Sequence, residues 1–511
     1  MGIFRAIKNL FTKGGYALTG QTLNSITDHP KINISSLELQ RIESNFRQYE
    51  GNYPDIEYIN SNNQIKKRKY MTMNLRKLTA EMMTSLVFNE QTEINVDESL
   101  QGANEFIQHV FEHNDFKKNL ARYLEPMFAT GGLVARPYFD GGTQEIEFSW
   151  GLANSFIPLR SNSNSISEGV MIFKTQKVMG DKVYYYTLFE FHEWQDGQYA
   201  ITNELYVSGD AKIIGKRTAL SEIYEDLAET AIITGLIQPI FSYLKPAGFN
   251  NISPYSPLGL GLCDNCENTL KQINDAFDQF NWEIRMGQRT VLVSDHVLNY
   301  SPDEQGKGSS PRFDPDINVF KRLRTDIDQD FIKDMTSDIR VEQYTSAINQ
   351  FLKTLEMQLQ LSVGTFSFDG KSVKTATEVV SENSLTYRTR NMQCREVEKF
   401  VKSVVVSTLE LAKRTYGADG KQIYTGGIPS FEQISVDFDD GIFESQDAKL
   451  EFYQKAAVAQ LVPKVEAIKS IFKLTDEEAA DWFNKIQAET LGLDPLEQEQ
   501  ASADEELGDE E

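Results

Sequence analysis

Two stretches of the chain carry apolar residues at alternating steps of three and four, the spacing of a helix that packs lengthwise against another helix. Between them, residues 287–339 contain mixed short segments and a loop rich in Ser, Pro and Gly. This order predicts two long helices joined by a small α/β insertion. Two such seams are more than one helical hairpin needs, so we also predict side-by-side packing with other copies of the chain. The seam residues are Leu270, Ile273, Phe277, Phe280 and Ile284 in the first stretch, and Val341, Tyr344, Ile348, Phe351, Leu355 and Leu359 in the second.

Residues 133–207 change to a period of two, which is typical of strands. Gly-containing turns such as Asp140-Gly-Gly, Gly180-Asp181 and Asp196-Gly197 separate the runs. We therefore predict an antiparallel meander in this region. The runs are Leu133–Phe139, Gln144–Trp150, Gly169–Val178, Lys182–His192 and Tyr199–Val207, and Ile434–Phe438 alternates in the same way.

Capping patterns indicate where several helices begin. Ser35 and Glu38 form a capping box, which predicts a helix that ends near Tyr49. Thr375 and Glu378 repeat the pattern at the start of a long helix that reaches about Tyr416. Further helices are predicted over residues 74–88 and 104–129, and two or three over residues 446–489. The predicted fold class is α+β, mainly α.

The charge of the chain excludes some functions. Its formal net charge is -24 at pH 7, and a free copy with that field repels nucleic acid, which excludes a conventional basic DNA-binding domain. The basic run Lys66–Lys69 is then expected to be a solvated surface, with a nucleic-acid contact as the alternative. No run of about eighteen apolar residues occurs, so no membrane span is expected. Three cysteines form no disulfide framework and indicate a reducing compartment.

The motifs of common enzymes are absent or incomplete. Gly417-Ala-Asp-Gly-Lys421-Gln422 has neither the spacing nor the hydroxyl residue of a phosphate-binding loop. Cys263 and Cys266 have the spacing of zinc ligands, but too few partners remain for a zinc site, so we expect packing thiols. His109 and His113 stand four apart with no third ligand nearby. No metal, cofactor or catalytic residue is predicted.

One acidic cluster keeps a different function open. Asp437, Asp439 and Asp440 resemble the opening of a calcium loop, but Ile442 stands where the loop needs Gly and Ala448 where it needs Glu. The cluster is expected to be surface acid at the end of a strand. The alternative is a metal-dependent hydrolase that uses these carboxylates.

A single run carries a specific resemblance. Residues 362–384 read Ser-Val-Gly-Thr-Phe-Ser-Phe-Asp-Gly-Lys-Ser-Val-Lys-Thr-Ala-Thr-Glu-Val-Val-Ser-Glu-Asn-Ser. This run resembles the segment that follows the second stem helix in portal proteins of long-tailed phages of Gram-positive bacteria. The order of predicted elements agrees with that family over nearly the whole chain.

The resemblance implies a function and a set of partners. Portal proteins form a ring, usually a dodecamer, at one capsid vertex of the virion. The ring passes double-stranded DNA during terminase-driven packaging, retains it, lets it out at ejection, and holds the head–tail adaptor. Implied partners are therefore other copies, the terminase, the major capsid and scaffold proteins, the adaptor and DNA, with assembly in the host cytoplasm. A head–tail adaptor or scaffold without a DNA channel remains a competing function.

The resemblance also divides the chain. It implies a stem at residues 259–286 and 340–362, a clip at 287–339 and a tunnel loop at 363–374. The wing would comprise residues 1–258 and 375–445, and the crown residues 446–490. Residues 491–511 form an acidic tail that its composition predicts to be disordered. The residues of the tunnel loop implied to face DNA are Phe366, Phe368, Asp369, Lys371 and Lys374.

The acidic tail gives a first test. Truncation after Thr490 should leave folding and assembly unchanged, because the removed segment has too few apolar residues to offset the entropy of ordering it. Circular dichroism and thermal melting of the truncated chain check this expectation. A lower melting temperature would show that the tail belongs to the folded core.

Overall fold

The computed structural model divides the chain into two compact units, residues 1–438 and 439–511. It describes residues 22–59, 63–89, 92–97, 99–100, 102–162, 165–225, 227–287, 291–294, 300–302, 309–311, 320–323, 332–334, 338–367, 384–438, 446–459, 461–472 and 476–491.

The described helices of the first unit fall into three groups along the chain. Four lie before the strand-rich region, two flank the predicted insertion, and a long one follows. They are α1 (Ser36–Tyr49), α2 (Leu75–Val87), α3 (Ala103–His113), α4 (Phe116–Thr130), α5 (Glu267–Met286), α6 (Val341–Gln358) and α7 (Ser384–Ala412).

The strands of the first unit are β1 (Thr22–Leu23), β2 (Ile56–Ile59), β3 (Ile65–Arg68), β4 (Glu93–Val96), β5 (Leu133–Phe139), β6 (Ile146–Leu152), β7 (Phe156–Ser161), β8 (Ile166–Met179), β9 (Lys182–Gln195), β10 (Gln198–Ser208), β11 (Gly215–Thr218), β12 (Thr230–Ile233), β13 (Ser242–Leu244), β14 (Val291–Ser294), β15 (Tyr300–Pro302), β16 (Ser309–Pro311), β17 (Phe320–Leu323), β18 (Ile332–Asp334) and β19 (Ile434–Asp437). The fold is α+β with more helix than strand, which confirms the predicted class.

The largest sheet is the predicted meander. Its strand order is β1-β11-β10-β9-β8-β7, with β12 added beside β10. Strands β8, β9 and β10 pair antiparallel through the turns at Gly180 and Gly197, whose φ values of 63° and 78° favour glycine. The first two runs of the prediction, β5 and β6, instead form a separate sheet with β13. The sequence prediction also missed β7, which pairs with β8.

The remaining sheets are small. Strand β19 pairs antiparallel with β4, and β2 pairs with β3 as a hairpin. Strands β14 to β18 all lie in the segment between α5 and α6, where the insertion is predicted. They form a three-stranded sheet, β17-β14-β18, and a two-stranded one, β15-β16.

The main core of the first unit surrounds α7. Its valines at 397, 401, 404 and 405 are fully buried, together with residues of α2, α3, α4 and β5. Residues 404–410 of α7 are all buried, so this part of the helix is held by packing rather than by its own propensity. A second core lies under the meander, where Phe189, Phe191 and Val170 meet Leu23 and Ile32.

Two helix predictions need correction. Glu38 does not close a capping box, because its carboxylate turns inward to Arg41 (2.8 Å) and Asn250 (3.2 Å), while Ser35 alone caps α1. The single helix predicted over residues 104–129 is two helices. The chain breaks at Asp115, whose φ of 47° lies in the left-handed region and cannot continue a helix.

A buried ion-pair network joins the start of α5 to the N-terminal helices. The guanidinium of Arg76 in α2 is fully buried and donates to Asp264 (3.0 Å), to the Ala129 carbonyl (3.1 Å) and to Glu267. Arg41 of α1 contacts the other Asp264 oxygen at 2.5 Å. Every charge in this network has a partner of opposite charge, which buried ions require.

The backbones cross closely beside this network. A Cβ atom on Gly131 would lie 2.6 Å from the carbonyl oxygen of Gly259, and Gly131 has a φ of 101°. Only glycine fits at this crossing, which explains the glycines that punctuate the sequence before α5.

The second unit is helical where it is described. Its helices are α8 (Gln446–Val458), α9 (Lys464–Phe472) and α10 (Asp476–Leu491), as many as were predicted for residues 446–489. Phe472 and Trp482 pack with ring centroids 5.3 Å apart. None of the helices that the structure describes is long and apolar enough to cross a membrane.

The network at Asp264 makes a stability prediction. The substitution Arg76→Met should lower the free energy of unfolding by about 3–5 kcal/mol, because it leaves Asp264 buried without its guanidinium partner. Denaturant unfolding measures the change. The matched control is Arg160→Met, whose side chain is 70% exposed and 3.5 Å from Glu168, and whose loss should cost less than about 1 kcal/mol. Equal effects of the two substitutions would contradict the role assigned to Arg76.

Candidate functional site

The two predicted seam helices pack against each other as α5 and α6, and their contact is apolar at the base. Leu270 and Ile273 of α5 meet Leu352 and Leu355 of α6, and all four are 4% exposed or less. Leu75 of α2 closes the same cluster. The base of the α5–α6 pair is therefore part of the core of one chain.

Cys263 and Cys266 pack in the apolar cluster, as the sequence analysis predicted. Both are buried in this cluster as free thiols. Burial raises the pKa of Cys263 to about 11 and that of Cys266 to about 12, so neither is a reactive thiolate at neutral pH.

The far end of the α5–α6 pair is held by polar contacts. Arg340 donates to Glu283 through its guanidinium, at 2.7 Å for the closest pair of atoms, and through its backbone N–H at 3.0 Å. These hydrogen bonds lower the pKa of Glu283 to about 2. The ring of Tyr344 lies 5.2 Å from that of Phe280. We call the contact between Arg340 and Glu283 the clamp. Because the pKa of Glu283 is lowered, the stabilisation that the clamp provides is lost only as the pH falls from about 4.5 towards about 2.

The seam residues are thus divided among three environments. Leu270, Ile273 and Leu355 are buried within the chain, and Phe277, Phe280, Tyr344, Ile348, Phe351 and Leu359 are half-buried. Ile284 and Val341, at the far end, are 44% and 49% exposed. The distal end is therefore the most exposed part of the seam, and the contact with other copies that the sequence predicts stays a prediction.

A buried carboxyl group organises the loop that follows α6. Glu356 is fully buried, and its oxygens accept hydrogen bonds from the backbone N–H groups of Gly364 (3.1 Å), Phe366 (2.5 Å) and Ser367 (2.7 Å). The Ser367 hydroxyl donates to it as well, at 3.2 Å. Gly364 has a φ of 95°, which allows the chain to curl around the carboxyl group.

Hydroxyl groups tie the same loop to the start of α7. The backbone N–H of Ser362 donates to Thr386 Oγ1 at 2.9 Å, and Thr389 donates to the Gln360 carbonyl at 2.7 Å. Residues 362–367 and 386–389 are therefore fixed to one another. The segment between them begins and ends at a rigid anchor.

Of the predicted DNA-facing residues, the structure describes Phe366. Phe366 is half-buried and packs against both the α7 core and the base of the α5–α6 pair. Phe368, Asp369, Lys371 and Lys374 lie outside the described residues. Their contact with DNA stays a prediction.

The other candidate residues that the structure describes do not come together in a catalytic or metal-binding group. Asp437 is exposed on β19, where Glu93 faces it across the strand pair, and Asp439 and Asp440 lie outside the described residues. His109 is exposed and lies 3.3 Å from Glu145. Within the described ranges, no group of three or more His, Cys, Asp or Glu side chains could hold a metal ion.

Sequence reasoning missed two buried polar groups. Glu356 could have been noticed, because it stands four residues after Leu352 on the apolar face of a predicted helix, just before the loop that begins at Gly364. His192 lies in the meander between Tyr199 (2.9 Å) and Glu190 (2.8 Å), and Arg136 pairs with that carboxylate at 2.7 Å. Burial lowers the pKa of His192, and the fully buried ring has no access to a substrate. This group stabilises the sheet rather than forming an active site.

Residues 28–490 match a family described as "Phage portal protein, SPP1 Gp6-like". No curated protein sequence matches the chain. Among solved structures, a chain from the virion of a native gene transfer agent particle is similar over 85% of this chain and 93% of its own length, with 11% sequence identity and a TM-score of 0.41.

The anchor at Glu356 can be tested by amide hydrogen exchange. Glu356→Ala should speed exchange at Gly364, Phe366 and Ser367 by about tenfold or more, because a hydrogen bond to a charged group contributes roughly 1.5–3 kcal/mol. Glu356→Gln keeps the shape but turns one acceptor into a donor, so it should also speed exchange.

The matched control is Glu342→Ala, which removes an exposed carboxylate from the same helix. It should leave these amides protected. Unchanged exchange in both Glu356 variants would show that the carboxyl group does not hold the loop.

Proposed function

Because the chain belongs to the SPP1 Gp6-like family of phage portal proteins, a structural family of the bacteriophage virion, we propose that it forms a closed oligomeric ring at one capsid vertex. The ring, a dodecamer in this proposal, is the channel for DNA packaging, retention and ejection. The observation that carries the proposal is the extent of the family match, residues 28–490, which includes nearly every described element. From the resemblance of residues 362–384 we further propose that the phage is a long-tailed one with a Gram-positive host.

The parts of the ring follow the division that the resemblance implies. We assign residues 259–286 and 340–362, which contain α5 and α6, to the stem, residues 287–339 to the clip and residues 363–374 to the tunnel loop. Residues 1–258 and 375–445 are the wing, and the helices of residues 446–490 are the crown. In support, α5 and α6 pack as an antiparallel pair with the insertion at one end. The insertion contains small sheets, and in this proposal it is the part that binds the terminase and later the head–tail adaptor.

The anchored loop suits a channel through which DNA is driven. The hydrogen bonds to Glu356 and those between Ser362 and Thr386 fix both ends of the segment that would face the duplex. A loop held in this way can contact moving DNA while its first residues stay bound to the core. The half-buried Phe366 adds apolar contacts at the same point.

The charge of the chain suits the passage of DNA. Each neutralised phosphate adds salt-dependent affinity, which would slow a duplex that must move in both directions. An acidic chain with a net charge of -24 avoids this grip. Lys371 and Lys374 would then supply limited positive charge at the narrowest point. They steer the phosphates without trapping them.

The partners follow from the same role. We propose that the ring binds the major capsid and scaffold proteins during assembly in the host cytoplasm. It then binds the terminase, and after packaging it holds the adaptor. No observation favours the competing functions. Asp437, the described member of the acidic cluster, is exposed on a strand beside Glu93 rather than in a cleft with other metal ligands.

The experiment is DNA packaging with cognate procapsids and terminase. Lys371→Glu with Lys374→Glu should spare ring formation, because neither residue belongs to the seam. It should lower the yield of filled heads about tenfold, since carboxylates at the constriction repel the duplex.

The matched control reverses two exposed lysines elsewhere, Lys182 and Lys421, with the same change in net charge. It should package like the wild type. An undiminished yield from the Lys371 and Lys374 variant would refute the DNA-facing loop. Procapsids that package equally well without this protein would refute the proposed function itself.

A further inference from the structure

A cavity of about 340 Å³ opens on one face of the largest sheet, between β10, β12, β5 and the end of α7. Alternate residues of β10 point to the same face of that sheet. On this face Tyr199 and Leu205 are buried in two separate apolar clusters. Ile201 and Asn203 lie between them on the strand and line the cavity. The gap between the two clusters is therefore left open by the described residues.

The lining of the cavity is mainly apolar, and part of it reaches solvent. Ile232 and Tyr416 form its mouth and are 40% and 46% exposed. The two guanidinium groups of the lining already have partners, since Arg136 pairs with Glu190 at 2.7 Å and Arg414 donates to backbone carbonyl groups. Apolar side chains that entered the cavity would remove its lining from water without displacing an ion pair.

The sequence of residues 3–13 predicts a helix with one strongly apolar side. At 100° per residue, five large apolar residues of this segment fall within about 120° of the helix circumference. They are Ile3, Phe4, Ile7, Leu10 and Phe11. Arg5, Lys8 and Lys13 fall outside that arc. A helix this short is stable only where its apolar side is buried. Residues 1–21 lie outside the described residues, and the family match begins only at residue 28.

The strand register shows from which direction the chain enters the sheet. Strands β1 and β10 both run antiparallel to β11, so β1 runs parallel to β10. Thr22 lies at the level of Val207, because Lys216 of β11 is paired with both. Strand β1 therefore enters the sheet from the direction of Asn203 and Ile201, the part of β10 that lines the cavity.

The distance to the cavity is within reach of the segment. From Thr22 the cavity lies two strands inward and about five residues along β10, which is roughly 20 Å at the usual strand dimensions. Residues 14–21 span up to about 28 Å when extended. They are long enough to bring residues 3–13 of the same chain to the mouth of the cavity.

We propose that residues 3–13 form a helix that covers this cavity in their own chain, with Ile7 and Leu10 entering it. The helix closes the mouth at Ile232 and Tyr416 and keeps its basic side in solvent. It thereby joins β12 to the end of α7. The contact lies within one chain, so it does not depend on the proposed ring.

The proposed helix gives the first part of the chain a hold on both faces of the sheet. Leu23 and Ile32 pack with Tyr206 on the face opposite to the cavity. With residues 3–13 on the cavity face, the chain would pass around the edge of the sheet at β1. An edge strand of two residues is then held by packing on both sides of it.

Disulfide cross-linking of the full-length protein tests the location of the helix. The three native cysteines are buried, so new surface cysteines react selectively. Leu10→Cys with Ile232→Cys should form a disulfide within one chain on oxidation. The matched control is Leu10→Cys with Ile213→Cys, because Ile213 is 37% exposed and lies only two residues before the β11 partner of Leu23. A docked helix holds residue 10 at the cavity, so the first pair should link about tenfold faster than the control pair.

Each other outcome of the cross-linking would overturn the proposal. Links between chains would show that the segment covers a neighbouring copy. Equal rates for the two pairs, or no link in either, would show that the segment has no site at the cavity. None of these results bears on the proposed function.

A basic amphipathic helix could instead bind an anionic membrane surface. Full-length protein is therefore mixed with vesicles of phosphatidylcholine and phosphatidylglycerol and sedimented. A helix that is docked on its own chain has no free apolar side, so the protein should stay in the supernatant. Sedimentation with the vesicles that is lost on deletion of residues 1–15 would overturn the proposal.

Amide hydrogen exchange checks the same contact without cysteine chemistry. Ile7→Asp with Leu10→Asp should speed exchange in β12 about tenfold, because a carboxylate cannot enter the apolar cavity and the helix leaves it. Asn9→Asp with Thr12→Asp adds the same charge to the polar side of the helix and should leave exchange unchanged. Equal exchange in the two variants would contradict the proposed contact.

Discussion

Arg76 is a fully buried guanidinium, and the carboxylate that it meets, Asp264, lies just before α5. This contact fixes the base of the α5–α6 pair to α1 and α2, with Arg41 on the other carboxylate oxygen. Removing one partner of a buried ion pair strongly destabilises the fold, so the network holds the base in one arrangement. The direction in which α5 leaves the core follows from it. The β2–β3 hairpin, whose Arg68 binds Asp278, the clamp at Glu283 and the loop after α6 all take their positions from that direction.

The α5–α6 pair is consequently rigid at one end and open at the other. Apolar side chains bury the base, whereas the far end is held by Arg340 and Glu283 and leaves Ile284 and Val341 in solvent. A lone chain gains nothing from these exposed side chains. The loop after α6 is part of the rigid end, since Glu356 binds its backbone directly.

Part of this arrangement could be predicted from the sequence. Alternation with a period of two located β8, β9 and β10, and the three–four spacing located α5 and α6. Both patterns arise because each of these elements buries one face, so apolar residues recur with the period of a strand or of a helix. Sheet membership was not predictable, since β5 and β6 alternate like the strands of the meander but form a separate sheet in which β5 pairs with the distant β13. The docking of Arg68 on Asp278 joins residues that are far apart in the chain, and no local pattern reports it. Glu38 looked like a helix cap and is instead an inward ion-pair partner, because a tertiary contact outweighed a local one.

Electron micrographs of the purified full-length protein should show closed rings with a central opening wide enough for duplex DNA. We also expect high salt to weaken the assembly of these rings. The anchored loop after α6 should line the opening in averaged images at higher resolution. Particles that remain single chains at every protein and salt concentration, or rings without an opening, would contradict the proposed ring.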